Sequence, residues 1–319
     1  MKRRDFLKTG LGALAAAPLL GPLTARAANT KAKLRIGHLP ITDHLLVLAA
    51  AREQFRHLDF EPVKFSSWPD VSEALKAGAI DGAFLLTPIG LTLRNKGVPL
   101  KVVLLGHRNG SVITVKSGDE IQRIDDLKGR TIAIPSPFST HNLLLRKLLT
   151  ECGIDPNTEV KLLDMAPPEM PVALATGRID GYIVAEPFGA QAEFQKVGKV
   201  LTLSKDIWPD HICCVLNLRE AVIDTYPEAV QELIDGMQRT ARFIQQDPVA
   251  AARASVKYLG QKAEVVEFVL TKPAGRLTFD RLKPDLADFT ATQKLMLQFG
   301  VAKDEVDLTD YVDTRFFAG

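Results

Sequence analysis

Cysteine is scarce in this chain, with only three among 319 residues. Cys152 is isolated and Cys213 is followed directly by Cys214, a pattern that excludes a disulfide-framework protein. The segment HICC places His211 beside these cysteines and raises the possibility of a metal site. Adjacent residues of a strand point to opposite faces of a sheet, so we expect Cys213 and Cys214 not to converge. They are predicted to be buried apolar side chains.

An excess of charge of one sign is also lacking. The formal charge of the whole chain is +2, and residues 1–27 carry five basic residues and one acid, so the remainder has a charge of −2. This balance, with no basic run, argues against a nucleic-acid partner. The 292 residues left after removing 27 from 319 exceed a usual single domain, which favours two lobes.

The only pronounced apolar stretch lies at the N-terminus, in MKRRDFLKTGLGALAAAPLLGPLTARAANT. A basic head precedes a short Ala- and Leu-rich run, broken by Gly and Pro, that ends at Ala25-Arg26-Ala27. This is typical of a secretory signal and not of a transmembrane anchor. The adjacent Arg3 and Arg4 resemble a twin-arginine export signal, the alternative being an ordinary leader with a chance arginine pair. We expect residues 1–27 to be a signal peptide and the mature chain to lie in a periplasm without a membrane or lipid anchor.

After the leader, strands alternate with helices, which indicates an α/β fold. The pattern then repeats: ALKAGAIDGAFLLTPIG (Ala74–Gly90) aligns without gaps on ALATGRIDGYIVAEPFG (Ala173–Gly189). Upstream, PITDHLL (Pro40–Leu46) lies over PFSTHNL (Pro137–Leu143). Generic Gly and Asp turns explain part of this, but less easily both stretches in the same order. We predict two similar lobes.

The lobes are predicted to be joined by two crossings of the chain. The first is expected near Gly110–Ser111 and the second near Ser204–Cys213. Residues 28–110 and 212–319 would then form a discontinuous lobe one, and residues 111–211 would form lobe two.

In such sheets a ligand binds beyond the carboxyl ends of the strands, where helix N-termini offer unpaired N–H groups. We therefore predict that the polar residues of these turns converge on one cleft, although N-capping alone would also explain a Ser or Thr there. Trp68, as a stacking or structural indole, and His211, at the cleft mouth, are added to the set. The predicted ligand-binding residues are Thr42, Asp43, His44, Trp68, Thr87, Ser139, Thr140, His141, Glu186 and His211.

The leader, LRIGHLPITDH, IDDLKGRTIAIPSPFSTHNLLLRKLL, ALATGRIDGYIVAEPF and DHICCVL together resemble periplasmic substrate-binding proteins of nitrate/sulfonate/taurine ABC transporters. The resemblance covers roughly residues 34 to 300. It implies a type II periplasmic binding fold with a ligand cleft between two lobes. We expect no cofactor. The implied partners are one small solute, an inner-membrane permease and a cytoplasmic ATPase, with the binding protein acting as a monomer.

Several ligand classes stay open. An oxyanion such as nitrate, a sulfonate or bicarbonate is slightly favoured, because helix N-termini and histidines donate hydrogen bonds. Asp43 and Glu186 would repel an anion, which keeps a pyrimidine-type heterocycle or an aromatic acid close behind. A metal held by His44, His141, His211 and Glu186 is a minority hypothesis, because no local ligand spacing supports it.

Two other function classes stay open. The implied fold is also that of the fungal-type pyrimidine synthase for thiamine and of certain menaquinone-pathway enzymes. No P-loop, nucleophile elbow or dinucleotide motif follows the leader, so we expect no enzyme activity. Sensing instead of transport is a third class that sequence does not separate.

Overall fold

The computed structural model describes residues 31–118 and 120–317, so the predicted signal peptide lies outside the described residues. Within these residues the strands form two five-stranded sheets and one two-stranded pair. In spatial order, the first sheet contains β2 (Leu58–Lys64), β1 (Ala32–His38), β3 (Gly82–Leu86), β11 (Cys214–Arg219) and β4 (Leu100–Leu105). The second contains β10 (Gly198–Leu203), β6 (Ser111–Lys116), β9 (Gly181–Ala185), β7 (Thr131–Ile134) and β8 (Lys161–Asp164). The pair is β5 (Arg108–Asn109) with β12 (Leu277–Thr278).

The two sheets have the same strand order. β1 pairs in parallel with β2 and β3, and β7 pairs in parallel with β8 and β9. Each sheet also contains one antiparallel strand next to that core: β11 beside β3 and β4, and β6 beside β9 and β10. The predicted internal repeat is thus present as two sheets of like topology. The sheets are mixed and not purely parallel, because the strand that enters from the other half runs in the opposite direction.

Helices connect the strands. The α-helices are α1 (Ala49–Arg52), α2 (Trp68–Lys76), α3 (Thr87–Asn95), α4 (Thr140–Glu151), α5 (Met170–Ala175), α6 (Phe188–Phe194), α7 (Ser204–Ile207), α8 (Glu220–Thr225), α9 (Pro227–Gln246), α10 (Pro248–Leu259), α11 (Ala263–Thr271), α12 (Leu286–Gln298) and α13 (Leu308–Tyr311). Short 3-10 helices span Thr42–Leu48, Ile124–Leu127 and Pro167–Glu169. No helix within the described residues is long and apolar enough to cross a membrane.

The repeated Gly-x-Ile-Asp-Gly sequence has a physical basis in both halves. Gly78 and Gly177 follow helices with φ of +70° and +72°, a conformation that side chains with a Cβ rarely adopt. The aspartates Asp81 and Asp180 each accept a 2.8 Å hydrogen bond from a backbone N–H at the neighbouring strand, from Arg35 and Thr131 respectively. Each turn is therefore fixed to the strand next to it.

The second glycine of the motif permits close packing of the antiparallel strand. A Cβ on Gly82 would lie 2.7 Å from the carbonyl oxygen of Asn217, and one on Gly181 would lie 2.9 Å from that of Thr114. Both contacts are too short for a side chain, so glycine is required where each crossing strand pairs with the sheet.

The segment after β1 differs from the regular helix that the alternation of strands and helices predicts. The chain forms the 3-10 helix Thr42–Leu48 and then only one α-helical turn in α1, because His44 has φ −105° and ψ 18° and interrupts the regular geometry. All seven residues of the 3-10 helix are buried. Thr42, Asp43 and His44 are therefore held in the interior of the protein directly after the first strand.

Candidate functional site

The predicted turns of the two halves meet directly. Thr42 lies after β1, and both its N–H and its hydroxyl donate to the carbonyl oxygen of Glu186, which follows β9 of the other sheet, at 2.8 and 2.9 Å. Both residues are completely buried. The carboxyl ends of the two sheets therefore face each other, as expected for a site at the edge of parallel strands.

The hydroxyl groups of the predicted Ser and Thr residues form hydrogen bonds within the protein. Ser139 is the N-cap of α4: its Oγ accepts from the N–H of Asn142 at 3.0 Å and donates to the carbonyl oxygen of Ser136 at 2.6 Å. Thr87 and Thr140 both donate their hydroxyl hydrogen atoms to the carbonyl oxygen of Cys213, at 3.0 and 3.4 Å. The hydroxyl hydrogen atoms of these three side chains are therefore already used within the protein.

The predicted histidines instead keep one unpaired ring nitrogen each among the described residues. His44 Nδ1 accepts from the N–H of Leu39 at 2.8 Å, which leaves Nε2 free. His141 Nε2 bonds the Ser111 hydroxyl at 2.9 Å, which leaves Nδ1 free. His211 Nδ1 lies 2.8 Å from the carbonyl oxygen of Trp208, which leaves Nε2 free. Buried polar atoms without partners are rare in proteins, so these three nitrogens are available to bind a ligand or a water molecule.

These histidines are neutral. Burial lowers the pKa of His141 to about 3 and that of His211 to about 4, and lowers the pKa of His44 well below its usual range. The site thus offers neutral imidazoles, which are hydrogen-bond donors or acceptors and metal ligands, and no positive charge from these three rings.

His107 was not predicted, yet it lies at the centre of the site. Its charge contributes to the lowered pKa of His44, His141 and His211 alike. Although burial opposes protonation, the nearby Asp43 carboxylate, 3.0 Å from Nε2, and the Cys213 thiol raise the pKa of His107 to about 10. His107 follows β4, so the rule that selects polar residues after strands would have found it.

The expectation that Cys213 and Cys214 do not converge is wrong. Ligand atoms of Asp43, His107, Cys213 and Cys214 all lie within 4.8 Å of one another. β11 begins only at Cys214, so Cys213 lies before the strand and the alternation of strand side chains does not apply to it. The predicted burial is confirmed, since both thiols are inaccessible to solvent. Burial opposes ionisation, but hydrogen bonds with Cys214 and His107 lower the pKa of the Cys213 thiol to about 7.

Glu186 has a cationic partner that the sequence did not indicate. Arg276 donates from Nε to Oε1 at 2.7 Å and contacts the same oxygen through a terminal nitrogen, while the N–H of Ala190 donates to Oε2 at 3.0 Å. The carboxylate therefore faces a guanidinium and a helix N-terminus. Arg276 lies 90 residues away in a turn before β12, and no spacing rule connects it with Glu186.

Trp68 is a buried residue, 1% exposed, at the start of α2. Its ring packs edge-on against His44 with centroids 5.9 Å apart, and its indole Nε1 has no hydrogen-bond partner among the described residues. The structure therefore brings all ten predicted residues to the region between the sheets, with His107, Ser111 and Arg276 added. Whether these side chains bind a ligand stays a prediction.

Comparison with known proteins extends this picture. The chain is 29% identical over 285 residues to the nitrate/nitrite binding protein NrtA of Nostoc sp. strain PCC 7120, an alignment that covers 73% of this chain and 64% of the relative. The chain spans between 35% and 64% of the length of the first two curated relatives that it matches.

Two solved structures have the same fold. The ligand-binding component of an ABC-type import system from Staphylococcus aureus, with zinc bound, has a TM-score of 0.82 and 29% identity, covering 90% of this chain and 98% of that one. The periplasmic nitrate-binding protein NrtA from Synechocystis PCC 6803 has a TM-score of 0.81 and 18% identity, covering 90% and 86%. The chain therefore has the α/β fold of periplasmic binding proteins. Residues 27–260 match the sequence pattern of the NMT1-like family, and the chain belongs to that family.

Proposed function

We propose that the protein is the solute-binding component of an ABC importer. It captures one small polar solute between its two sheets and delivers it to an inner-membrane permease that is driven by a cytoplasmic ATPase. The single observation that carries this proposal is the group of buried, unpaired ring nitrogens where the two sheets meet. The likeness to a nitrate/nitrite binding protein and to a ligand-binding component of an import system supports it.

The hydrogen-bond partners assign a role to each nitrogen. His44 accepts at Nδ1, so its proton is on Nε2, which is a donor; Trp68 Nε1 is also a donor. When the Ser111 hydroxyl donates to His141 Nε2, the Nδ1 of His141 is a third donor. These three groups match the acceptor oxygens of an oxyanion.

His211 differs from the other two histidines. Its Nδ1 faces a carbonyl oxygen and must carry the proton, so the unpaired Nε2 is an acceptor. Nitrate and sulfonates have no hydrogen to donate to it, whereas bicarbonate has one. We therefore propose an oxyanion of the nitrate, sulfonate and bicarbonate class, with the hydrogen-bearing member first. A pyrimidine-type heterocycle, which also combines acceptors with a donor, is the second candidate.

We also propose the lobe boundaries, the export route and the oligomeric state of the protein. The two lobes would be residues 28–110 with 212–319, and residues 111–211, since β1–β4 and β11 fall in the first and β6–β10 in the second. The leader supports export to the periplasm by the twin-arginine route, and we propose a monomer that binds its solute without chemical turnover. Among the predicted residues, Thr42, Thr87, Ser139, Thr140 and Glu186 would shape the site.

A thermal-shift screen tests the proposal. The panel contains nitrate, bicarbonate, alkanesulfonates, pyrimidines and aromatic acids. A solute present at 100 times its dissociation constant stabilises the protein by about 2.7 kcal/mol. The bound compound, recovered by denaturing the protein, should be chemically unchanged; a converted product would instead support an enzyme.

The contact is then tested by calorimetry on His141→Ala with the solute found in the screen. We expect a loss of affinity of about 10- to 100-fold, the size of one strong hydrogen bond. The matched control is His57→Ala, a half-buried histidine that pairs with Glu232 away from the site. Equal affinities for the two variants would contradict the assigned site, and a panel without any stabilising solute would contradict the proposed ligand classes.

A further inference from the structure

The compact group Asp43, His107, Cys213 and Cys214 has no role in the solute contacts described above. Each residue contributes one potential ligand atom, and the four atoms lie within 4.8 Å of one another. All four side chains are completely buried. The donors are one carboxylate oxygen, one imidazole nitrogen and two sulfurs.

The bonding of this group within the protein is incomplete. His107 Nε2 lies 3.0 Å from Asp43 Oδ2, with which it forms an ion pair when the ring is protonated, and 3.2 Å from the backbone nitrogen of Cys214. Among the described residues, Asp43 Oδ1 and His107 Nδ1 are buried and have no hydrogen-bond partner. Buried polar atoms without a partner call for a ligand, and a divalent ion can take the place of the imidazolium proton beside the carboxylate.

The absence of a side chain at Gly110 leaves space beside the unpaired atoms of Asp43 and His107. Gly110 has φ +87°, and a Cβ placed on it would lie 2.8 Å from Asp43 Oδ1 and 3.1 Å from His107 Nδ1. Any side chain at this position would make contacts that are too short with Asp43 and His107. Glycine therefore allows the backbone to pass close to the four residues while their unpaired atoms remain available to an ion.

The donor set selects a class of ion. Two sulfurs, one imidazole and one carboxylate suit borderline and soft transition metals, whereas Mg²⁺ and Ca²⁺ require oxygen ligands. Tetrahedral zinc has bonds of about 2.0–2.3 Å, which places its ligands about 3.3–3.8 Å apart. The four atoms are close enough for small side-chain rotations to reach that geometry.

We propose that Asp43, His107, Cys213 and Cys214 form a binding site for a thiophilic divalent ion of the zinc class. The inference goes beyond the proposed function, because its four donor atoms are different from the ring nitrogens assigned to the solute. The site lies on both connections between the sheets: His107 belongs to the segment between β4 and β6, and Cys213 ends the segment that returns to β11. A bound ion would join the two connections to the 3-10 helix that contains Asp43.

Cobalt provides the direct test. The full mature protein, reduced and stripped of metal, is titrated with Co²⁺ and then with Zn²⁺. We expect one ion per chain, with the thiolate-to-cobalt charge-transfer absorption and intense visible bands of a tetrahedral site, which Zn²⁺ then abolishes. Cobalt bound without thiolate absorption would overturn the proposal.

Variants and a chemical probe localise the site. We expect Cys213→Ser and Cys214→Ser to lower Zn²⁺ affinity at least about 100-fold, since loss of a mere supporting contact already costs about 10- to 100-fold. Cys152→Ser, at an exposed free thiol, is the matched control and should bind zinc as the wild type does. An equal effect of all three substitutions would contradict the assignment.

Because a variant at a buried thiol can fail to fold, the wild-type protein provides a second readout. In urea below the unfolding transition, where local opening exposes buried thiols, Zn²⁺ should slow the alkylation of Cys213 and Cys214, counted by mass spectrometry, while Cys152 reacts at the same rate with and without the ion. An alkylation rate of Cys213 and Cys214 that Zn²⁺ does not change, or a Cys213–Cys214 disulfide that persists in the periplasmic protein, would overturn the proposal. His141→Ala should weaken solute binding and leave zinc binding intact, so failure of the metal site and failure of the solute site are distinguishable.

Discussion

At the scale of single residues, the histidines show how surroundings set the chemistry of one side-chain type. His57 is partly exposed and contacts Glu232, whereas His38, the last residue of β1, is 1% exposed. His38 Nδ1 lies 3.2 Å from the carbonyl oxygen of Leu39. Burial is the main reason that the pKa of His38 falls to about 4, with a smaller contribution from Lys64.

The pKa of His38 predicts how stability depends on pH. Below about pH 6.5 the unfolded chain binds a proton at this residue, and the folded chain does not do so until about pH 4. The unfolded state therefore binds more protons in this window, and the free energy of unfolding falls as the pH is lowered, by about 1.4 kcal/mol per pH unit for this residue. Urea unfolding at several pH values should show a shallower slope for His38→Gln. His57→Gln is the control, and equal slopes for both variants would contradict the prediction.

The position of each residue along the chain explains which site residues could be predicted from the sequence. Asp43, His44, His141 and most of the others follow strands, so position along the chain was sufficient to select them, whereas His211 was selected at the predicted second crossing. His107, which follows β4, satisfies the same rule. Arg276 could not be found, because only the folded chain places its guanidinium against Glu186.

At the scale of elements, α4 begins with a side chain that fixes its first turn. Ser139 Oγ both caps the N–H of Asn142 and donates to Ser136, so the helix entry is tied to the turn before it. N-terminal hydroxyls were predicted to serve either a cap or a ligand. The contacts favour the cap for Ser139, and its role as a ligand-binding residue stays a prediction.

Replacing the cap separates these two roles. We expect Ser139→Ala to lower the free energy of unfolding by about 1 kcal/mol, as loss of an N-cap usually does, with little change in solute affinity. Denaturant unfolding and calorimetry measure the two quantities. Asp247→Ala, which removes the N-cap of α10 at 2.9 Å from the N–H of Ala250, is the matched control away from the proposed solute contacts. A large loss of affinity without loss of stability would show that Ser139 touches the solute.

At the scale of the whole molecule, a buried ion pair joins the two halves. Glu186 follows β9 of the second sheet, and Arg276 precedes Leu277, which packs in the same apolar core as strands of the first sheet. Their side chains are 0% and 3% exposed. Removing one partner leaves a buried charge, which costs about 3–5 kcal/mol when the group cannot reach water.

We expect Arg276→Met to separate the halves, because opening lets water solvate the Glu186 carboxylate. Small-angle scattering should show a larger radius of gyration, and solute affinity should fall by about tenfold or more. The double variant Arg276→Met/Glu186→Gln should be more compact than the single variant, because no buried charge remains. Arg94→Met, which breaks a 2.7 Å pair with Glu220, is the control and should keep the wild-type curve. Identical scattering from all four proteins would contradict this mechanism.

The sequence by itself determined the alternation of strands and helices, the internal repeat and the turns that contain the polar residues. These features follow from local rules: apolar periodicity, glycines at positive φ after helices, and aspartates that bind the adjacent strand. Only the tertiary structure decided which polar atoms are already paired, that Cys213 and Cys214 converge with Asp43 and His107, and that Arg276 neutralises Glu186. Such pairings depend on distances between segments far apart in the chain, and no local pattern of residues records those distances.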